Sequence, residues 1–210
     1  MQLSRRDRTT VALAGAGFVA GAWAARRGEV TATEARWFAR LNGLPSGAFA
    51  PVWTVMQLGS LGGSVGLGLA VAASGRRRLG STLALTAAAT WAGAKVVKPG
   101  IQRGRPNGLV GGARVLGREQ AGLGYPSGHA AVASALAAVA APHLTSTQRL
   151  AAWATAGAVA LARIYVGAHL PLDVIGGVAL GTAIGTAAAP YGSRRPPRSS
   201  SSSWASCWRG

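Results

Sequence analysis

The chain has 210 residues, about one domain's worth, of which 49% are hydrophobic and only 13% charged, against roughly 25% charged in ordinary soluble domains. Lysine and arginine number 22 and aspartate and glutamate 5, a formal net charge of +17. In a soluble chain that excess points to nucleic acid. Here the basic residues stand between long apolar runs, as in membrane proteins, which sets nucleic acid aside as a partner and makes the bilayer the expected surround.

Six segments have the apolarity of a bilayer crossing, which takes roughly 20 residues. They are 9–25, a stretch within 49–74, 79–97, 129–144, 150–168 and 174–191. Residues 1–8, with "SRRDR", are a basic N-terminus expected in the cytoplasm. The first segment has a rival reading as a cleaved signal peptide, with a basic start, a short apolar core, "AWA" at 22–24 and the twin arginines Arg5 and Arg6. Between the first two segments, Trp37, Phe38 and Leu41 fall at helical spacing opposite Arg36 and Arg40. This predicts a short helix lying in the membrane interface, or an ordinary connecting helix.

Arginines at 5–8, 76–78, 149 and in the tail share one side of a six-span arrangement, which the positive-inside rule favours only weakly as the cytoplasm, since Arg26, Arg27, Arg36, Arg40 and the loop 98–128 fall on the other side. Gly62 and Gly66 on the second segment, and Gly177, Gly181 and Gly185 on the sixth, repeat every four residues and predict close helix approach. The end, 193–210, is rich in Ser, Pro and Arg and is expected to be disordered. It holds the single cysteine, Cys207, which can form no intramolecular disulfide and fits no metal-ligand spacing. The expected fold is therefore all-α: a polytopic membrane protein with a six-helix domain over 9–192.

Ionisable groups at membrane depth are costly and usually functional. With both termini inside, Lys98, Arg105, His129, Arg163, His169 and Asp173 all reach the outer face; Lys95 reads as a lysine snorkelling to the headgroups. His169 and Asp173 are four apart, so a helix stacks them on one face. A carboxylate against an imidazole fixes its tautomer and suits a nucleophilic or basic histidine. Lys98, Arg105 and Arg163 bring fixed positive charge, and the arginine fork matches phosphate oxygens. Ser127 is placed to cap a helix whose first N–H groups, with that of Gly128, form an anion site. His129 then rides on its first turn, placed to give a proton to a leaving oxygen.

Three stretches carry a resemblance: "KPGIQRGRP" at 98–106, "PSGH" at 126–129 and "ARIYVGAHLPLD" at 162–173. They resemble the K-x6-R-P, P-S-G-H and S-R-x5-H-x3-D signature of the type 2 phosphatidic acid phosphatase family, which also includes vanadium haloperoxidases. The one departure is Ala162, where the family often has serine. The resemblance implies that His169 attacks phosphorus to form a phosphohistidine supported by Asp173, and that His129 protonates the leaving group and then activates water. Lys98, Arg105, Ser127, Gly128 and Arg163 would hold the phosphoryl oxygens. No metal or other cofactor is implied; besides Asp173, the long loop offers only Glu119, and a magnesium site takes at least two carboxylates.

The expected activity is hydrolysis of a membrane lipid phosphate or diphosphate monoester. Candidate substrates are an isoprenoid diphosphate such as undecaprenyl diphosphate, phosphatidic acid and phosphatidylglycerol phosphate. The expected location is a bacterial inner membrane with the active-site loop extracytoplasmic. The alternatives are vanadate-dependent haloperoxidase chemistry in the same pocket and a non-catalytic lipid-binding or transport protein. Oligomeric state is left open.

Overall fold

The computed structural model describes residues 3–193, and they are helical with no strand. α1 runs over Arg5–Ala25, beginning four residues before the expected span because Ser4 caps it through Asp7 N–H. α2 is Ala32–Asn42, capped by Thr31. α3 (Phe49–Met56) and α4 (Leu61–Ala73) follow, then α5 (Arg77–Ile101) and the single turn α6 (Pro106–Leu109). α7 is Gly128–Ala140, α8 is Ser146–Tyr165 with a Thr145–Gln148 capping box, and α9 is Pro171–Gly192. The tail expected to be disordered falls, from residue 194 onward, outside the described residues.

α7 is the centre of the bundle. Every residue from Ala130 to Val139 is buried, and α5, α8 and α9 pack around it. α1 lies along α9, α4 along α5, and α3 along α8. The small side chains face inward. A Cβ added at Gly177, Gly181 or Gly185 would meet α7 backbone at Ser127, Ala131 or Ala135. That stripe brings the two helix axes together, as its four-residue spacing predicts. Gly62 and Gly66 instead face open space. α4 meets α5 through Gly68, whose added Cβ would lie 2.9 Å from Gly80 O. Large apolar side chains point outward, among them Leu13, Trp23, Leu69, Leu85, Leu150 and Ile175. An exterior of that kind suits a hydrocarbon surround.

The expected spans differ in quality. Among the described residues, α9 alone has by itself the length and apolarity to cross a bilayer. The second segment is a bent pair, turning by 64° between Ser46–Gly59 and Leu61–Ala73. Gly59 sits at the bend, and a Cβ there would lie 2.6 Å from His129 O. α7 has 13 residues, about 20 Å at 1.5 Å per residue, short of a hydrocarbon core of about 30 Å. Protein encloses it, so it need not match lipid. α5 and α8 are long enough but carry cations at both ends, Arg77, Arg78, Lys95 and Lys98 on one and Arg149 and Arg163 on the other.

α2 lies at the end of the bundle where α5 and α8 finish. Its faces divide differently from the expected pattern: Phe38 is buried in a core cluster with Leu170 and Val174, while Trp37 is exposed beneath the Arg40 guanidinium. Glu34 also points inward. At the opposite end, a hollow of about 750 Å³ is bordered by Arg76, Arg77, Arg78, His143 and Gly192. It gathers the turns after α4 and α7 with the end of α9.

Candidate active site

The residues singled out in the sequence come to one end of the bundle from four places. Lys98 stands in the last turn of α5, and Arg105 caps α6. Gly128 and His129 open α7, and Arg163 is in the last turn of α8. The turn from α8 to α9 is tight because Gly167 adopts φ +73°, where a side chain would strain the backbone and run into Arg114 O. Ala168 and His169 N–H groups then both donate to Arg163 O, at 3.0 and 3.1 Å. Pro171 starts α9 at a position where no N–H is needed.

The His169 ring is nearly buried. Its Nδ1 lies 3.4 Å from Asp173 Oδ2, and Arg105 Nη1 is 3.0 Å from its Nε2. With the proton on Nδ1 facing the carboxylate, Nε2 carries the lone pair and accepts from Arg105. Asp173 is in the first turn of α9, and its Oδ2 also accepts from Leu170 N–H at 3.0 Å. Burial drives the His169 pKa well below 6.5, and Arg105, Arg163, Lys98 and His129 add to the effect. The resting ring is therefore neutral. Burial also lowers the Arg105 pKa, with Asp173 opposing.

Arg105 and Arg163 border a cavity of about 80 Å³ that Met56, Asn107, Glu119 and Ala168 help to line. Arg163 is buried, its Nη1 lies 3.0 Å from Met56 Sδ, and its Nε has no partner among the described residues. A thioether is a weak acceptor, so this guanidinium has donors to spare for an anion.

Lys98 and Ser127 stand differently from the expectation. Lys98 Nζ donates to the carbonyls of Leu123, Gly124 and Pro126 at 2.9, 2.8 and 2.9 Å, filling its three donors. In this state it fastens the loop before α7. Ser127 precedes α7 but its side chain makes no cap bond. Its N–H donates to Asp173 O at 2.8 Å, and its buried Oγ has no partner among the described residues.

Sequence reasoning passed over three residues that the structure brings here. Arg103 is completely buried between Glu34 of α2 and Asp173. Burial opposes its charge, but the Glu34 hydrogen bond and both carboxylates outweigh that, so its pKa rises. Tyr125 is buried against α1 and α9, stacks on Phe18 and donates to Phe18 O at 2.8 Å. Burial raises its pKa. No local pattern marks them: Arg103 stands in "QRGRP", Glu34 in "TATEAR" and Tyr125 beside "PSGH", and none of these stretches indicates a partner. Among the described residues no three His, Cys, Asp or Glu side chains are arranged to hold a metal ion.

No curated protein sequence is a match to this chain. In fold it is similar to the transmembrane PAP2-type phosphatidylglycerolphosphate phosphatase from Bacillus subtilis, at a TM-score of 0.72 and 20% identity, over 85% of this chain and 94% of that one. It is also similar to LpxE of Aquifex aeolicus, at a TM-score of 0.70 and 22% identity, over 78% of this chain and 98% of that one. The sequence model of the PAP2 superfamily matches residues 78–196, more than half of the chain and the whole of the region that carries the two histidines, and the protein belongs to that superfamily.

Proposed function

We propose that this protein is an integral-membrane phosphatase that hydrolyses a lipid phosphate or diphosphate monoester through a phosphohistidine on His169. The observation that carries the reading is the buried His169 ring, its Nε2 3.0 Å from Arg105 Nη1 and its Nδ1 backed by a buried carboxylate at 3.4 Å. A nucleophile, its supporting base and fixed cations for the phosphoryl oxygens stand within one site.

In the first step Nε2 bonds to phosphorus and the ester or anhydride P–O bond breaks. His129, which takes up a proton when the anionic substrate enters beside it, gives that proton to the departing oxygen. Arg105 turns from the ring to a phosphoryl oxygen, joining Arg163, and Ser127 Oγ and the Gly128 N–H complete the cradle. Lys98 acts by its charge and by holding the 123–126 loop. Asp173 balances the positive charge that the phosphorylated ring acquires. In the second step His129 takes a proton from water, the water oxygen bonds to phosphorus, the N–P bond breaks and phosphate leaves. No metal enters. The cations supply the charge stabilisation, and the two buried carboxylates at the site, Glu34 and Asp173, are both engaged by Arg103.

The substrate class follows from the surround. The outward apolar side chains of the bundle support a headgroup reached sideways from the bilayer. The likeness to a phosphatidylglycerolphosphate phosphatase keeps that lipid among the candidates, with phosphatidic acid and an isoprenoid diphosphate. We place the site on the extracytoplasmic face of a bacterial inner membrane, opposite the Arg76–Arg78 end. The test is phosphate release from these three lipids by the purified protein and by His169→Ala. Release by the wild type alone supports the reading; release by neither, or equally by both, contradicts it. Cysteines placed in loop 110–122 after removal of Cys207 should react with an impermeant thiol reagent in intact cells; labelling only after lysis reverses the orientation.

A further inference from the structure

Arg103 is the largest fully buried side chain among the described residues, yet it does not line the cavity between Arg105 and Arg163. Its fork is shared between two carboxylates from distant parts of the chain. Nη2 donates to Glu34 Oε2 at 2.7 Å and to Glu29 O at 3.2 Å. Nη1 donates to Glu34 Oε1 at 3.1 Å and to Asp173 Oδ1 at 3.2 Å. Glu34 also accepts from Leu172 N–H at 2.9 Å, which ties α2 directly to the first turn of α9.

We propose that Arg103, clamped by Glu34, is a positioning residue for the Asp173–His169 pair, and that α2 is thereby part of the working site. The proposal rests on the phosphatase reading above. Asp173 divides its two oxygens: Oδ1 faces Arg103, and Oδ2 faces His169 Nδ1 and Leu170 N–H. With Oδ1 held, the carboxylate plane cannot rotate away from the imidazole. Glu34 has a second role. Alone, Arg103 would neutralise Asp173 and leave it little charge to offer the ring. With Glu34 present, the buried trio of two carboxylates and one guanidinium carries one excess negative charge, which the imidazolium of the intermediate balances. Charge inside a low-dielectric site is costly unless paired, so the trio favours the state in which His169 is positive.

The test uses the full-length protein in detergent micelles, with dioctanoyl phosphatidic acid and farnesyl diphosphate as probes. kcat is counted per active site, from the phosphate trapped on the protein, so that unfolded molecules do not enter. Glu34→Gln keeps the shape of the clamp and removes its charge. It should lower kcat by about 10–100-fold, by analogy with the partners that orient metal-binding histidines, and leave KM and inhibition by inorganic phosphate unchanged, because Arg105 and Arg163 are untouched. The double variant Arg103→Met, Glu34→Gln should show the same split. Arg103→Lys, which restores one charged contact to Asp173, should recover part of kcat. A purely structural cross-link predicts a lower Tm and fewer active sites at wild-type kcat per site. That outcome, or loss in KM instead of kcat, overturns the positioning role while His169-dependent release by the wild type stands. Absence of His169-dependent release by the wild type overturns the phosphatase reading and this proposal with it.

Discussion

Replacing Asp173 by asparagine removes one charge and little volume from the most enclosed carboxylate at the site. Asp173 is 0% exposed, and its Oδ2 lies 3.4 Å from His169 Nδ1. At an effective dielectric constant of about 20, a unit positive charge on the ring at that distance gains about 5 kcal/mol from the carboxylate. That energy is available to the phosphorylated ring and not to the neutral resting one, so it falls on the chemical step. The asparagine oxygen keeps part of it, through a dipole that still accepts from Nδ1–H. The expected loss in kcat is therefore about 10²–10⁴-fold, each 1.36 kcal/mol being tenfold. KM should hold, since Arg105 and Arg163 supply the phosphate contacts. The assay is steady-state phosphate release by purified Asp173→Asn in detergent, with its Tm measured beside it. A folded variant with kcat within about threefold of wild type would show that the carboxylate does not carry the charge of the intermediate.

Gly124→Ala should disable turnover although glycine-to-alanine is a small change, because the new Cβ would lie 2.6 Å from Gly104 O and 2.8 Å from Asp173 Oδ2; steady-state kcat is the readout, and wild-type activity would mean the carboxylate can move without cost. Phosphate release should persist in EDTA, and loss restored by magnesium would refute the metal-free mechanism. His169, depressed in pKa by burial first and then by Arg105 and its fellow cations, gains its proton only well below pH 6.5. The His169 ring of the resting protein should thus keep the nitrogen NMR shifts of a neutral imidazole at both about pH 6 and about pH 7.5. Ring shifts that move to those of an imidazolium along a titration centred near 6.5 contradict the neutral resting ring.

The gathering of charged residues was more legible than the packing. Residues that carry charge into apolar stretches announce themselves singly, and Lys98, Arg105, His129, Arg163, His169 and Asp173 do lie at one end of the bundle. Partnership is what a linear reading lacks. Arg103 meets Glu34 across 69 positions, and no local period records that. The same gap explains Lys98, whose donors go to a loop 25 to 28 residues away. Glycine spacing was informative where both helices are continuous, as for α9 on α7. It misled on the second segment, where α4 packs on α5 through the face of Ser64 and Gly68 and leaves Gly62 and Gly66 facing open space. The buried state of α7 also escaped periodicity, since a helix apolar all round reads alike in lipid and in a protein core.

The measurement closest to the central claim is capture of the intermediate. A substrate labelled in its terminal phosphate is mixed with wild-type protein, quenched under alkaline denaturing conditions, and the protein-bound label is mapped by peptide. The account predicts acid-labile, alkali-stable phosphate on the peptide that holds His169, present in wild type and absent from His169→Ala. It also predicts that label accumulates when His129 is replaced and a diphosphate is used, because water activation then slows more than departure of the better leaving group. Label that survives His169→Ala, or maps to another residue, would contradict it.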